Sequence, residues 1–152
     1  MAKIGIICDR EFLEPFDQRV YKGAVTMADA GHEVQILTPH PIARTTYIND
    51  IKIKCFSTKG LPGMMAFRLI KEALTNNYDI YYCHELDPLV YSLLLNKITK
   101  KPIIWDCHEY LIPMKKELQG NLAATLTNIM LNIAAPRVNH IVTVDNNLGK
   151  QL

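Results

Sequence analysis

The sequence contains no run of about eighteen apolar residues, so no segment of it reads as a membrane-spanning helix. Met1-Ala2-Lys3 leads straight into an apolar strand, with no charged n-region, apolar h-region and cleavage site in succession, and a secretory leader is not expected. A net charge of +2 is too small to argue for nucleic acid. There is no G-x-G-x-x-G turn, no P-loop, no serine elbow and no H-E-x-x-H helix. The missing glycine fingerprint counts against a nicotinamide-dependent dehydrogenase or a nucleotide-sugar epimerase. The four cysteines, Cys8, Cys55, Cys83 and Cys107, have no paired spacing and fall in or at the ends of strands, as small buried hydrophobes in a reducing compartment do. Cys83-His84 and Cys107-His108 invite zinc, but adjacent strand residues point to opposite faces and each pair makes a poor chelate. No metal is expected, and a cytoplasmic location is.

What is present is a regular alternation of strand and helix. The stretch Tyr78 to Tyr110 holds one complete unit: the β-prone Asp79 to Cys83, then Asp87-Pro88 as N-cap and first helical residue, then Leu89, Val90, Leu93, Leu94 and Ile98 at helical spacing. Lys100-Lys101-Pro102 stops the helix, and Ile103-Ile104-Trp105 begins another strand. A crossover of this length makes the two strands parallel, so His84-Glu85 and His108-Glu109 share one rim of the sheet.

Upstream, Ile4 to Cys8 is a buried strand, Asp17 caps a helix carrying Val20, Ala24, Met27 and Ala28, and Gly31 closes it before a strand at Val34 to Leu37. Thr38-Pro39-His40-Pro41 reads as a break. Ile51, Ile53 and Cys55 alternate with Lys52 and Lys54, which predicts a third strand at the sheet edge. Six basic residues against Asp50 alone between Arg44 and Lys71 make a locally basic face. Met65, Leu69, Ile70 and Leu74 mark a helix. Downstream, residues 111–119 read as irregular around Pro113, Asn121 caps a helix with Leu122, Leu126, Ile129, Met130, Ile133 and Ala134 on one stripe, and Pro136 ends it. Ile141 to Val144 is a sixth strand, and Asn146 to Leu152 begins a helix. The pattern predicts a three-layer α/β, Rossmann-like domain with a mainly parallel six-stranded sheet in the order 3-2-1-4-5-6. The rim crevice then collects Asp9, Arg19, His84, Glu85, Asp106, His108 and Glu109, where a histidine beside a carboxylate can act as a base or an oriented donor.

Four stretches occur in order: Asp17-Gln18-Arg19-Val20, Ala30-Gly31-His32-Glu33-Val34, His84-Glu85-Leu86-Asp87 and Trp105-Asp106-Cys107-His108-Glu109, followed by His140-Ile141-Val142-Thr143-Val144. Together they resemble the amino-terminal domain of retaining glycosyltransferases of family 4, enzymes of the GT-B fold with two Rossmann-like domains, and the resemblance spans essentially the whole chain, residues 1–152. It implies sugar transfer from a nucleotide-sugar, as co-substrate, to a sugar or lipid-linked acceptor, without metal or other cofactor. It implies an acceptor-side role for this domain, His108 close to the reacting sugar as the catalytic residue, His84 as second candidate, and a loop from Asp9 to Arg19 bordering the donor diphosphate. The family's glycine-containing first loop is replaced by Glu14-Pro15-Phe16-Asp17, leaving Arg19 to supply a charge-assisted bond to phosphate. The carboxyl-terminal donor domain, a required partner, is absent, so the piece alone is expected to be inactive, to expose a sticky rim and to dimerise; peripheral contact with the inner face of a membrane fits a lipid-linked acceptor. Glu109 and Glu117 mimic the family's glutamate spacing in the wrong domain and are read as coincidence. The rival reading is a non-enzymatic module that only binds a sugar, lipid carrier or partner domain.

Overall fold

The computed structural model describes residues 1–8, 10–13, 16–61, 63–108, 110–143 and 146–149. In chain order the elements are β1 (Lys3–Ile7), α1 (Gln18–Asp29), β2 (Glu33–His40), β3 (Arg44–Ile48), β4 (Ile51–Ser57), α2 (Met64–Asn76), β5 (Ile80–His84), α3 (Leu86–Thr99), β6 (Ile103–Cys107), α4 (Leu111–Ala134), a 3-10 turn (Ala135–Arg137), β7 (His140–Thr143) and a single turn α5 (Asn146–Gly149). The seven strands form one sheet in the order β3-β4-β2-β1-β5-β6-β7, parallel throughout except for the β3–β4 pair. The six expected strands are there in the expected sequence; the seventh, β3, was not foreseen.

That strand corrects the placement of Ile51–Ser57 at the edge. The chain turns at Asn49 and Asp50, both at positive φ, and β3 runs back antiparallel along β4. The alternation of Lys52 and Lys54 with buried Ile51, Ile53 and Cys55 reflects one polar face, not a free edge. Two further expectations fail at prolines. Strand β2 continues through Pro39 to His40, because Leu37 makes the last bond to the β1 side, where its carbonyl accepts from Cys8, and Pro39 points its missing N–H to that same side beyond it. Pro113 lies in the first turn of α4, where no intrahelical donor is lost, so residues 111–119 are helical. The real interruption is Gly120, at φ 88° and ψ 179°, which divides α4 into two helices. Asp87 is not the cap of α3 but sits in its first turn, with Glu85 at the cap position.

Two apolar cores lie on the two sides of the sheet. Val20 and Ala24 of α1 pack with Ile4, Ile6, Val34, Ile36, Ile53 and Cys55. Leu69, Ala73, Leu89, Leu95, Leu131 and Ala134 of α2, α3 and α4 pack on the opposite side with Ile7, Leu37, Tyr81, Cys83 and Trp105. The period-two geometry of strands therefore sends Tyr82, His84 and Asp106 to the α1 side, and Cys83, Trp105 and Cys107 to the other. The stripe Leu122, Leu126, Ile129 and Ile133 does not enter either core: α4 buries Ala124, Thr127, Leu131 and Ala134 and turns that stripe outward.

Candidate functional site

Helix α1 begins where the sequence requires it. The Asp17 carboxylate accepts from the backbone N–H groups of Arg19 and Val20, both at 3.0 Å, and satisfies two of the free donors of the first turn. This fixes Arg19 in the first turn of α1, above the carboxyl ends of β5 and β6. Parallel pairing sets His84 against Asp106 in register. Asp106 is buried, 4% exposed, and collects its neighbours: Arg19 donates to Oδ1 at 2.9 Å, Tyr82 donates its hydroxyl to Oδ2 at 3.2 Å, and His84 Nδ1 stands 3.4 Å from Oδ2. His108, one residue past β6, places Nδ1 3.9 Å from Asp106 Oδ1 and Nε2 2.7 Å from Glu85 Oε1.

The two histidines are driven in opposite directions. Its hydrogen bond to the Glu85 carboxylate raises the pKa of His108, against a smaller desolvation effect. Burial lowers that of His84, outweighing the attraction of Asp106. The pair is thus driven apart, His108 toward the protonated form and His84 toward the neutral one, the separation used in acid–base sites. Burial first, then the Asp106 charge, pushes the Tyr82 phenol up, so it remains a donor.

Glu85 reaches His108 from a backbone conformation, φ 68° and ψ −174°, that is otherwise almost confined to glycine. Two bonds hold it there: its carbonyl accepts from Trp105 Nε1 at 3.0 Å, and its N–H donates to the Asp106 carbonyl at 3.2 Å. Strain at a rim residue, fixed by a buried tryptophan, marks a side chain kept in place for its position.

Arg10, Phe12, Asp17, Val20 and Cys8 close a small pocket of about 50 Å³ over His84, Glu85 and His108. The loop carrying Arg10 and Phe12 is tied to β2 by Thr38, whose hydroxyl accepts from the Phe12 N–H at 3.0 Å and donates to the Arg10 carbonyl at 2.8 Å. Beside it His40 Nε2 meets Glu11 at 3.1 Å.

Of the residues anticipated from sequence, Arg19, His84, Glu85, Asp106 and His108 come together; Asp9 and Glu109 lie outside the described residues. Tyr82, Thr38, Phe12 and the His40–Glu11 pair were missed. Tyr82 was accessible to a period-two reading, standing two residues before His84 on the same face; the others depend on a loop whose path no local pattern specifies. One ligand atom each from His84, Asp106 and His108 lies within 4.8 Å of the others, the one such grouping among the described residues. A cation there would have to compete with the Arg19 guanidinium for Asp106 Oδ1. Cys83 and Cys107 face the opposite core and are no part of this group.

The sequence matches glycosyltransferase family 4 over residues 18–152. The chain belongs to glycosyltransferase family 4. No curated protein matches its sequence. Among solved structures, Anabaena HepE in complex with UDP and glucose superposes with a TM-score of 0.65 at 13% identity, over 99% of this chain and 40% of that one. An α-glucosyltransferase in complex with UDP and a mismatch-containing DNA gives 0.56 at 13% identity, over 97% of this chain and 38% of that one. This family 4 chain thus spans about two-fifths of the length of these structures. Its fold is that of the amino-terminal Rossmann-like domain of a GT-B glycosyltransferase. No helix among its described residues is long and apolar enough to cross a membrane.

Proposed function

We propose that the rim formed by Arg19, Tyr82, His84, Glu85, Asp106 and His108 is the acceptor-side half of a cleft in which sugar is transferred from a nucleotide-sugar to an acceptor hydroxyl, with retention at the anomeric carbon. The observation that carries this reading is the Glu85–His108 contact of 2.7 Å at the mouth of a pocket in a family 4 domain. His108, whose Nε2 is engaged by Glu85 and whose Nδ1 is buried beside Asp106, presents its ring edge and positive charge to the reacting sugar, and Glu85 sets its orientation. Arg19, half-exposed, answers the charge of a diphosphate, while Asp106 keeps the guanidinium at the rim. In the transfer the bond from the anomeric carbon to the diphosphate oxygen breaks. The acceptor oxygen bonds to the same carbon from the same face, and its proton passes to the departing diphosphate. No protein nucleophile and no metal is assigned to this step.

The donor half of the cleft belongs to a second domain, as the two-fifths coverage of the similar structures suggests. This domain alone is then inactive, since holding donor and acceptor together is the main service of the two halves. The test is a transferase assay, over a panel of nucleotide-sugars, of the polypeptide that joins this domain to a donor domain, with His108→Ala alongside. Transfer is expected to fall at least a hundredfold in the variant with the nucleotide-sugar still bound. Donor turnover by no member of the panel, or full activity in His108→Ala, would leave a binding module in place of an enzyme.

A further inference from the structure

Two histidines, His40 and His84, are buried at the carboxyl ends of strands, and their surroundings differ. His40, at the end of β2, has both ring nitrogens occupied: Nδ1 lies 2.9 Å from the backbone nitrogen of Ile42 and 2.8 Å from its carbonyl oxygen, while Nε2 meets Glu11 at 3.1 Å and Arg44 at 3.3 Å. His84, 5% exposed at the end of β5, has neither nitrogen in a hydrogen bond. Its Nδ1 stands 3.4 Å from Asp106 Oδ2 without the geometry of a bond. A buried imidazole with both nitrogens unpaired is a cost to the fold, and a bound ion removes that cost.

His108 repeats the pattern on one side of its ring. Its Nδ1 is buried without a hydrogen bond, 3.9 Å from Asp106 Oδ1, whereas Nε2 meets Glu85 Oε1 at 2.7 Å. With the Nε2 proton directed to Glu85, the lone pair of the neutral ring stands at Nδ1, on the Asp106 side. A carboxylate behind a histidine is the support that metal-binding rings have, since it fixes the tautomer and raises the basicity of the other nitrogen. Asp106 is supported in the same way, by Arg19 on Oδ1 and Tyr82 on Oδ2. Arg19 therefore leaves Oδ2, the oxygen nearer His84, to a cation, and the lone pair that accepts from Tyr82 is one of two on that atom. Ligand atoms of a tetrahedral centre with bonds of about 2.0–2.1 Å stand about 3.4 Å apart. The His84–Asp106 separation already has that value, and all three ligand atoms lie within 4.8 Å of one another. His108, part-exposed one residue beyond β6, has to close by roughly 1 Å.

We infer that His84, Asp106 and His108 form a binding site for a divalent transition-metal cation of the zinc class, with Nδ1 of each imidazole and Oδ2 of Asp106 as ligands and a water in the fourth position. The pocket of about 50 Å³ over His84 and His108 has room for that water. Two imidazole nitrogens and one carboxylate oxygen select zinc or cobalt(II) over magnesium and calcium, which take oxygen ligands. Cys83 and Cys107 face the opposite core, so no thiolate enters the set. Charge is favourable as well, because around the pocket the carboxylates of Asp17, Glu85 and Asp106 outnumber the guanidinium groups of Arg10 and Arg19. At His108 the cation takes the place of the second ring proton. It has no part in the sugar-transfer step, and the inference stands whether or not that step occurs here.

The experiment is calorimetric titration of the chain with zinc chloride and, separately, with magnesium chloride, alongside visible absorption of the chain with cobalt(II). One zinc should bind per chain with micromolar or tighter affinity, magnesium should not bind in the same range, and cobalt should give the strong visible bands of four-coordinate ions. His84→Gln and His108→Gln should each weaken zinc binding at least a hundredfold and remove the bands. Glu85→Gln, which deletes a group that touches no cation, should weaken it about ten- to a hundredfold. His140→Gln, an exposed histidine on β7, should leave it unchanged. Circular dichroism checks that each variant is folded, and if His84→Gln is not, the part-exposed His108 decides. Zinc that binds no better than magnesium, binding that survives loss of His108, or binding lost in His140→Gln would overturn the inference. No nucleotide-sugar enters the titration, so its outcome is separate from that of the transferase assay.

Discussion

Glu85→Gly should be more stable than Glu85→Ala, against the usual order in which alanine is the better residue. Both variants lose the carboxylate that touches His108 at 2.7 Å, so that loss cancels in the comparison. The backbone does not cancel: φ 68° and ψ −174° bring a Cβ into conflict that costs roughly 1–3 kcal/mol, and glycine relieves it. Glycine's greater freedom in the unfolded chain costs about 0.4–1 kcal/mol. The difference favours glycine by about 1 kcal/mol, provided the bonds from Trp105 Nε1 and to the Asp106 carbonyl hold the residue in its present conformation. Urea unfolding of the two variants, with equal m values, should show it directly, and the glycine variant should melt about 2–4 °C higher. An alanine variant as stable as the glycine variant would mean that residue 85 relaxes to an ordinary conformation, and the argument for a strained, position-fixing residue would fall. If glycine is the more stable while both variants lose the site's function, the protein retains Glu85 at the expense of stability.

Glu85→Gln should lower the pKa of His108, whose elevation rests first on that carboxylate, and the imidazole proton resonances would report it. The sign for stability follows: with a folded value above the ordinary ~6.5, the Glu85–His108 contribution is fully present below that pH and is lost as pH rises through the folded value. His84, held below its ordinary value by burial, acts oppositely, and its contribution is lost as pH falls through its folded value. Stability measured between pH 5 and 8 should therefore drop on the acid side less in His84→Gln than in the wild type. Arg19→Met should cost more than Asp106→Asn, about 2–3 against about 1 kcal/mol, because it strands a carboxylate that is 4% exposed, whereas a stranded Arg19 is already 40% exposed to water; equal losses in chemical denaturation would contradict this. Gly5→Ala should destabilise by about 1–3 kcal/mol, since its Cβ would lie 2.8 Å from the fully buried ring of Tyr78; a neutral result would show that the ring has room to move.

The six expected strands, their order and the meeting of His84 with His108 on one rim were legible because they follow from period, crossover length and chain direction. What escaped lies where a local rule met a neighbour. Pro39 reads as a breaker, yet the strand on its non-bonding side has already ended. Pro113 reads as a breaker, yet it falls in a first turn. Lys52 and Lys54 describe a polar face, and a polar face is indifferent to whether another strand lies alongside. The stripe on α4 has the right spacing for a core helix; that Leu131 and Ala134 enter the core while Leu122, Leu126, Ile129 and Ile133 point outward depends on how the helix is rotated against its neighbours. In the site, the Arg19–Asp106 pair joins residues 87 positions apart and required the fold itself.

The β3–β4 hairpin also gives the sheet a guarded edge. It carries Arg44 outermost with Lys52 and Lys54 behind it, so two copies approaching there bring like charges together, and growth of the sheet past β3 by a duplicate strand is opposed.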